Sequence, residues 1–155
     1  MDKRDFYNED YSDRAFCLET LTDYLGSLEE LVDLPDCYDT LAHILYPLRY
    51  MHRTGQDVSL EEGDFPDRVQ GILKKVADAG KALEVNTWRG RTVAEWEPLL
   101  RRFKDLGGEY VTVGSDAHRP DDLGKGVRDA YELLKTGGYR FTAVYWQRKA
   151  RMVAI

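Results

Sequence analysis

The segment ALEVNTWRGRTVAEWEPLLRRFKDLGGEYVTVG, residues 82–114, reads as a complete strand-helix-strand unit. Its ends, residues 82–86 and 110–113, are short apolar runs typical of buried strands. Between them, six apolar residues recur at the spacing of one helix face, namely Val93, Trp96, Leu99, Leu100, Phe103 and Leu106. Thr92 and Glu95 have the spacing of a capping box, which predicts the start of this helix. The unit predicts a right-handed crossover between two parallel strands.

Strands and helices alternate along the rest of the chain as well. Three further helical segments are expected from apolar spacing, at residues 12–33, 66–77 and 123–134, and the first is expected as either one helix or two divided at Gly26. Three further strands are expected, at residues 38–42, 139–146 and 150–155. Because such alternation is typical of a parallel sheet with helices packed on it, the chain is expected to have an α/β fold. We predict one domain, with residues 1–37 as a helical lead-in and residues 38–155 as strand-helix units.

Length, charge and cysteine content exclude several classes of protein. The 155 residues are 43% hydrophobic, which suits a single domain with a core. A net charge of −6 disfavours nucleic acid as a partner, and no apolar run approaches the roughly 20 residues that cross a membrane. Cys17 and Cys37 have no metal or redox spacing, which favours a reduced, cytoplasmic protein. The chain has no P-loop, glycine-rich dinucleotide motif or Ser-His-Asp order, so nucleotide-cofactor enzymes are disfavoured.

Each of the first three predicted strands ends next to a residue suited to binding or catalysis. His43 follows the first strand, and Asn86 ends the second. Asp116 and His118 follow the third strand, where Gly114 allows the chain to turn sharply. Because parallel strands bring their C-terminal ends to one rim of the sheet, these side chains are expected to share a site.

The residue types at this rim favour a metal. Two imidazoles and a carboxylate suit a divalent transition ion, so His43, Asp116 and His118 are candidate ligands of zinc, manganese or iron. Asp116 and His118 are also the candidate catalytic residues, because a metal there lowers the pKa of bound water to about 7 and so supports hydrolysis. The alternative is that Asp116 caps the following turn and that His118 hydrogen-bonds the backbone.

Guanidinium groups near the same rim are candidates for holding a phosphate. Arg49 follows the first strand end, and Arg89 and Arg91 lie in the loop after Asn86. Guanidinium forks match phosphate oxygens, so a small phosphorylated molecule is the expected ligand. The candidate substrate-binding residues are Arg49, Asn86, Arg89 and Arg91. The alternative is that these arginines are ordinary surface charges, as most arginines are.

Several short motifs occur together in a definite order: LAH at residues 41–43, RY at 49–50, LEVNT at 83–87, GSDAHRP at 114–120 and DLG at 122–124. In this combination the chain, from about residue 40 onward, resembles the histidinol-phosphatases of the PHP family. The resemblance implies the C-terminal part of a distorted (β/α)7, TIM-like barrel. It also implies a cluster of two or three divalent metal ions that hydrolyses L-histidinol phosphate to L-histidinol and phosphate, in histidine biosynthesis.

The resemblance also implies roles for particular residues. His43 is similar to the later metal-binding histidine of the family, and Asp116 and His118 to its final pair of ligands. Arg49 and an arginine of the Asn86 loop resemble the arginines that hold the phosphate, and the resemblance leaves open whether the second is Arg89 or Arg91.

The chain departs from the family in ways that concern its completeness. Trp88 and the residues after it replace the small residues that usually follow the Asn-Thr pair. The family barrel begins with a His-x-His strand, whereas none of the three histidines here precedes His43. Because a partial barrel leaves strand edges and apolar surface uncovered, we expect a separate N-terminal half or self-association through the open edge. The alternative function is a non-catalytic half-barrel that binds a phosphorylated small molecule or a partner subunit.

Overall fold

The central feature of the fold is a parallel sheet with strand order β1-β2-β3. In the computed structural model, which describes residues 5–155, the strands are Thr40–Leu41 (β1), Ala82–Asn86 (β2) and Val111–Gly114 (β3). Thr40 lies opposite Ala82, and Leu83 lies opposite Val111, so all three strands run in the same direction. The first four residues of the predicted lead-in lie outside the described residues.

Within the described part of the chain, five α-helices accompany the strands: Arg14–Val32 (α1), Leu48–Arg53 (α2), Phe65–Asp78 (α3), Glu97–Asp105 (α4) and Val127–Thr136 (α5). α3 lies against β2, α5 lies against β3, and α1 packs on α3. Helices therefore cover the sheet and bury its apolar side chains. Within residues 5–155, none of these helices combines the length and the apolar character that crossing a membrane requires.

The apolar spacing of the sequence predicts the buried faces of α1 and α3. Along α1, residues 21, 25, 28 and 32 are buried, and the Asp13 carboxylate caps the helix by accepting from the Ala15 amide at 2.9 Å. The predicted face of α3 is buried throughout, at Val69, Ile72, Leu73 and Val76. Both predicted helices are confirmed.

A charged contact joins α1 to α3 beside this apolar interface. Arg68 donates from Nε and Nη2 to the two carboxylate oxygens of Glu29, each at 2.8 Å. These hydrogen bonds are the main reason that the pKa of Glu29 lies below its ordinary value of 4.5. The pair therefore contributes to stability only while Glu29 is ionised.

This contact gives a pH-dependent prediction. The pKa of Glu29 is lower in the folded chain than in the unfolded chain, so its stabilisation is complete above the unfolded value of about 4.5 and is lost as the pH falls through the folded value. Glu29→Gln should therefore lower the Tm at about pH 7 and have a smaller effect at about pH 3. Circular dichroism melts at both pH values measure this difference. Glu30→Gln, at an exposed neighbour, is the control, and an equal Glu29 effect at both pH values would contradict the assignment.

The chain ends in an antiparallel hairpin of β4 (Phe141–Trp146) and β5 (Lys149–Ala154). The Thr142 hydroxyl donates to the carbonyl of Val111, the first residue of β3, at 2.9 Å. At the hairpin turn, the Arg148 guanidinium bonds the carboxylate of Asp39, directly before β1, at 3.1 Å. The hairpin therefore lies at the N-terminal ends of the parallel strands, away from the rim that carries the candidate site.

The predicted α/β class is confirmed, but the described residues form no closed barrel. The parallel sheet and the hairpin are two separate sheets, although β3 and β4 are in contact. The reason is that β4 turns back to pair with β5 and does not join β3 through a parallel ladder.

The predicted capping box is wrong. The Thr92 hydroxyl donates to the Asn86 carbonyl at 3.0 Å and does not cap a helix. A 3-10 turn, Ala94–Trp96, therefore precedes α4, which begins at Glu97.

Candidate functional site

The C-terminal ends of β1 and β2 bring His43 and Asn86 together. Asn86 Nδ2 lies 3.4 Å from His43 Nδ1, and the Asn86 side-chain oxygen accepts from the Trp88 amide at 2.9 Å. Asn86 is only 4% exposed. The amide therefore has little freedom to rotate, and it fixes one side of the imidazole.

The most prominent contact of the rim is an ion pair between Arg49 and Asp116. Arg49, on α2, donates from Nη1 to Asp116 Oδ2 at 2.9 Å, and the two side chains are 7% and 17% exposed. The pair joins the β1 end to the β3 end across 67 residues of sequence. Arg49 is therefore no ordinary surface charge, which answers the alternative raised for it from the sequence.

His118 lies at the edge of this site. Its Nδ1 donates to the main-chain carbonyl of Asp116 at 2.9 Å, and its side chain is 70% exposed. The backbone contact is the one that the alternative interpretation of the sequence expects for His118. Within residues 5–155, the other ring nitrogen, Nε2, forms no hydrogen bond and is free to bind another group.

The three candidate metal ligands do not form one coordination group in this chain. Within residues 5–155, no three histidine, cysteine or acidic side chains lie together so that they could hold a metal ion. The donor types suit zinc, manganese or iron, but Asp116 is paired with Arg49 and His43 lies beside Asn86. The described residues therefore do not fit a complete metal site, and the ligand roles of His43, Asp116 and His118 stay predictions.

The structure adds Tyr46 to the site, which the sequence analysis did not identify. Its ring centroid lies 5.3 Å from that of His43 and 4.5 Å from the Arg49 guanidinium carbon. The Tyr46 amide donates to the His43 carbonyl at 2.7 Å, and so does the Tyr24 hydroxyl, also at 2.7 Å. No periodicity marks Tyr46 in the sequence, because the turn after β1 is irregular.

A second tyrosine, Tyr50, lies next to Tyr46. The Tyr50 hydroxyl donates to the Tyr46 hydroxyl at 3.0 Å. Burial and then this hydrogen bond raise the pKa of Tyr50 to about 12, so its hydroxyl stays protonated near neutral pH. Tyr50 is therefore a neutral hydrogen-bond donor to Tyr46.

The loop after β2 carries the other two candidate arginines. It is tied to the end of β3, since the Thr87 amide donates to the Gly114 carbonyl and the Arg89 amide to the Ser115 carbonyl, each at 2.8 Å. Arg89 is half-buried and Arg91 is exposed. Four non-glycine residues of the rim have left-handed backbones, at φ values of 42° to 64°: His43, Trp88, Arg89 and Asp116. Such strained conformations persist where the surroundings enforce them, often at functional sites.

The same loop packs tightly on Gly126, which has a φ of 74°. A Cβ added to Gly126 would lie 2.6 Å from Gly90 Cα and 2.8 Å from Thr87 Cβ. The Thr87 hydroxyl also donates to the Lys125 carbonyl at 2.7 Å. The loop after β2 and the loop before α5 are therefore held in one arrangement.

This close approach predicts different effects for two neighbouring glycines. Gly126→Ala should lower the free energy of unfolding by about 2 kcal/mol, because it adds both backbone strain and overlap with Gly90. Gly124→Ala is the matched control, since φ is 77° there but the added Cβ meets nothing within 4 Å, and about 1 kcal/mol is expected. Urea denaturation of both variants measures the difference. Equal losses would show that the loops do not press against Gly126.

Comparison with known proteins gives consistent matches over part of the chain. This chain is 33% identical over 100 residues to a probable histidinol-phosphatase of Clostridium acetobutylicum, and the match covers 63% of this chain and 38% of that protein. It is 32% identical over 114 residues to a probable histidinol-phosphatase of Thermotoga maritima, covering 69% and 44%. It is 28% identical over 130 residues to the histidinol-phosphatase of Lactococcus lactis, covering 82% and 48%. The match thus spans less than half the length of each of these relatives, and no model of a known protein family matches the chain.

A solved structure shares the fold. It is the histidinol phosphate phosphatase of Lactococcus lactis, crystallised with zinc, L-histidinol and phosphate. The TM-score is 0.71 at 24% identity, over 97% of this chain and 56% of that protein. The α/β arrangement described above is therefore one that a larger protein contains as a part.

Proposed function

This chain is a partial relative of the histidinol-phosphatases, and from that premise we propose that it forms part of a metal-dependent phosphatase that converts L-histidinol phosphate and water to L-histidinol and phosphate. The observation that carries the proposal is the buried Arg49 at the rim, held by Asp116 at 2.9 Å. A guanidinium fixed in this way is suited to the oxygens of a phosphate monoester. The enzyme is a hydrolase of histidine biosynthesis.

Each residue of the rim has a role in this proposal. Arg49 binds the phosphoryl group together with Arg89 or Arg91, and Asn86 fixes the orientation of His43. His43, Asp116 and His118 contribute ligands to a site for divalent metal ions, two or three in the complete enzyme. Zinc is supported by the Lactococcus lactis structure, and manganese or iron would suit the same donors.

In this proposal a second polypeptide supplies the remaining ligands and the remaining fold. The chain corresponds to 56% of the length of the Lactococcus lactis structure, which supports a partial barrel, and the order of the motifs at residues 41–124 supports its placement as the C-terminal part of a distorted (β/α)7 barrel. We propose that an N-terminal half, or a second copy paired through the open sheet edge, completes the site. Cys17 and Cys37 form no disulfide, and the proposed place of action is the cytoplasm.

A second candidate function is a half-barrel that binds a phosphorylated small molecule or a partner subunit without catalysis. The observation that favours it is again the ion pair, because the carboxylate of Asp116 is engaged by Arg49 and no three metal-binding side chains meet within residues 5–155. Such a protein needs Arg49 but no metal.

The variant Asp116→Asn separates the two functions. The purified chain, alone and with an added N-terminal half, is supplied with zinc, manganese or iron and tested for phosphate release from L-histidinol phosphate and for binding of inorganic phosphate. The enzyme is supported if the wild type releases phosphate under either condition and Asp116→Asn does not. The binding function is supported if neither releases phosphate under both conditions while both bind it.

A further inference from the structure

Three guanidinium groups surround one indole ring at the rim. The guanidinium carbons of Arg91, Arg49 and Arg89 lie 4.9, 5.4 and 5.9 Å from the ring of Trp88. All three distances fall within the roughly 6 Å over which an aromatic face attracts a cation. Trp88 therefore contacts every arginine that the proposed function assigns to the phosphate.

The two arginines of the loop after β2 have less compensation for their charge than Arg49. Arg49 pairs with Asp116 at 2.9 Å. Within residues 5–155, neither Arg89 nor Arg91 forms an ion pair with a carboxylate, although the pKa of the Asp122 carboxyl is lowered by a lysine hydrogen bond and also by the charge of Arg89. The Nε of Arg89 is buried and has no hydrogen-bond acceptor in that part of the chain. Like charges around one ring repel, and a buried N-H without an acceptor is costly, so the arginines of the loop are suited to an anion that supplies acceptors.

The backbone holds Trp88 in its place at a cost. Trp88 and Arg89 both have left-handed φ values, 42° and 61°, which residues with a side chain rarely adopt. The conformation is fixed from both sides, by the Trp88 amide on the Asn86 side chain and by the Arg89 amide on the Ser115 carbonyl. The left-handed backbone therefore occurs at the residue whose indole lies near the three guanidinium groups.

We propose that Trp88 is a positioning residue that gathers Arg49, Arg89 and Arg91 into one cluster for the phosphoryl oxygens of the ligand. The inference rests on the proposed function and deepens it, because it assigns both arginines of the Asn86 loop to the phosphate. Trp88 touches the arginines and acts through them. In this arrangement the indole face offsets the mutual repulsion of the cations until an anion arrives.

The test uses inorganic phosphate and the full chain. Trp88→Ala should weaken phosphate binding about tenfold, and Trp88→Phe, which keeps an aromatic face, should stay within about threefold of the wild type. Trp146→Phe, at a residue 61% exposed on the hairpin, is the control. Calorimetric titration measures the affinities, and far-ultraviolet circular dichroism checks that each variant is folded. If folded Trp88→Ala binds phosphate as tightly as the wild type, the inference is overturned.

A second readout does not depend on phosphate binding. Protons above an aromatic face resonate upfield, so the arginine Hε signals of Arg49, Arg89 and Arg91 should move downfield in Trp88→Ala, with assignments from single Arg→Lys variants. If the wild type binds no phosphate but these signals move, the proposed phosphate function fails while the contact of Trp88 with the arginines, on which the inference rests, stands. If they do not move, Trp88 does not lie against the arginines and the inference is overturned.

Discussion

Replacing Trp96 with alanine is expected to lower the free energy of unfolding by about 3–5 kcal/mol. Trp96 is 1% exposed and is among the largest fully buried side chains of the described residues. Its indole N-H donates to the Asn86 carbonyl at 2.9 Å, so the substitution removes a hydrogen bond and also leaves a cavity. Because Asn86 belongs to the rim, the same change should loosen the candidate site.

The matched control for this prediction is Trp146→Ala. Trp146 is 61% exposed on β4, so its loss should change the free energy of unfolding by only about 0.5 kcal/mol. Urea denaturation followed by circular dichroism measures both variants. Losses of similar size would mean that Trp96 is not packed in the core as described.

Replacing Arg49 with methionine is the second large expected effect. The change keeps the apolar part of the side chain but leaves the carboxylate of Asp116 without its 2.9 Å partner in a largely buried place. We expect the free energy of unfolding to fall by about 3 kcal/mol, because an unpaired charge with little access to water is costly. Binding of inorganic phosphate should also fall at least about tenfold, as the best-fixed guanidinium of the rim is lost.

Arg53→Met, at an exposed position of the same helix, controls for the loss of one positive charge. It should leave both the stability and the phosphate affinity close to the wild-type values. Arg49→Lys should recover only part of the loss, because an ammonium group cannot reproduce the planar fork of a guanidinium. Full recovery by lysine would show that charge alone, and not geometry, decides the role of Arg49.

The sequence predicts those parts of the fold in which apolar spacing governs burial. The face of α3 and the strand at residues 82–86 follow from periodicity and are found as expected. The capping box at Thr92 fails because a tertiary acceptor, the Asn86 carbonyl, takes its hydroxyl. Leu123 was expected on a helix face but is 81% exposed, because left-handed Gly124 and Gly126 delay α5 until Val127.

The candidate site shows a different limit. Positions at strand ends predict that His43 and Asn86 lie near each other, since parallel strands share a rim. The pairing of Arg49 with Asp116 joins residues 67 positions apart, and no local pattern encodes it. The contact of Trp88 with three arginines likewise depends on backbone angles that no local pattern in the sequence indicates.

The central claim is that this chain contributes a metal-dependent phosphatase site, and metal content together with phosphate release tests it most directly. Elemental analysis of the purified chain and of His118→Ala is compared with phosphate release from L-histidinol phosphate by each. We predict bound zinc, manganese or iron and phosphate release in the wild type, with both reduced in His118→Ala, whether the site is completed by a second copy or by an added N-terminal half. A chain that binds no metal and releases no phosphate under either condition would contradict it.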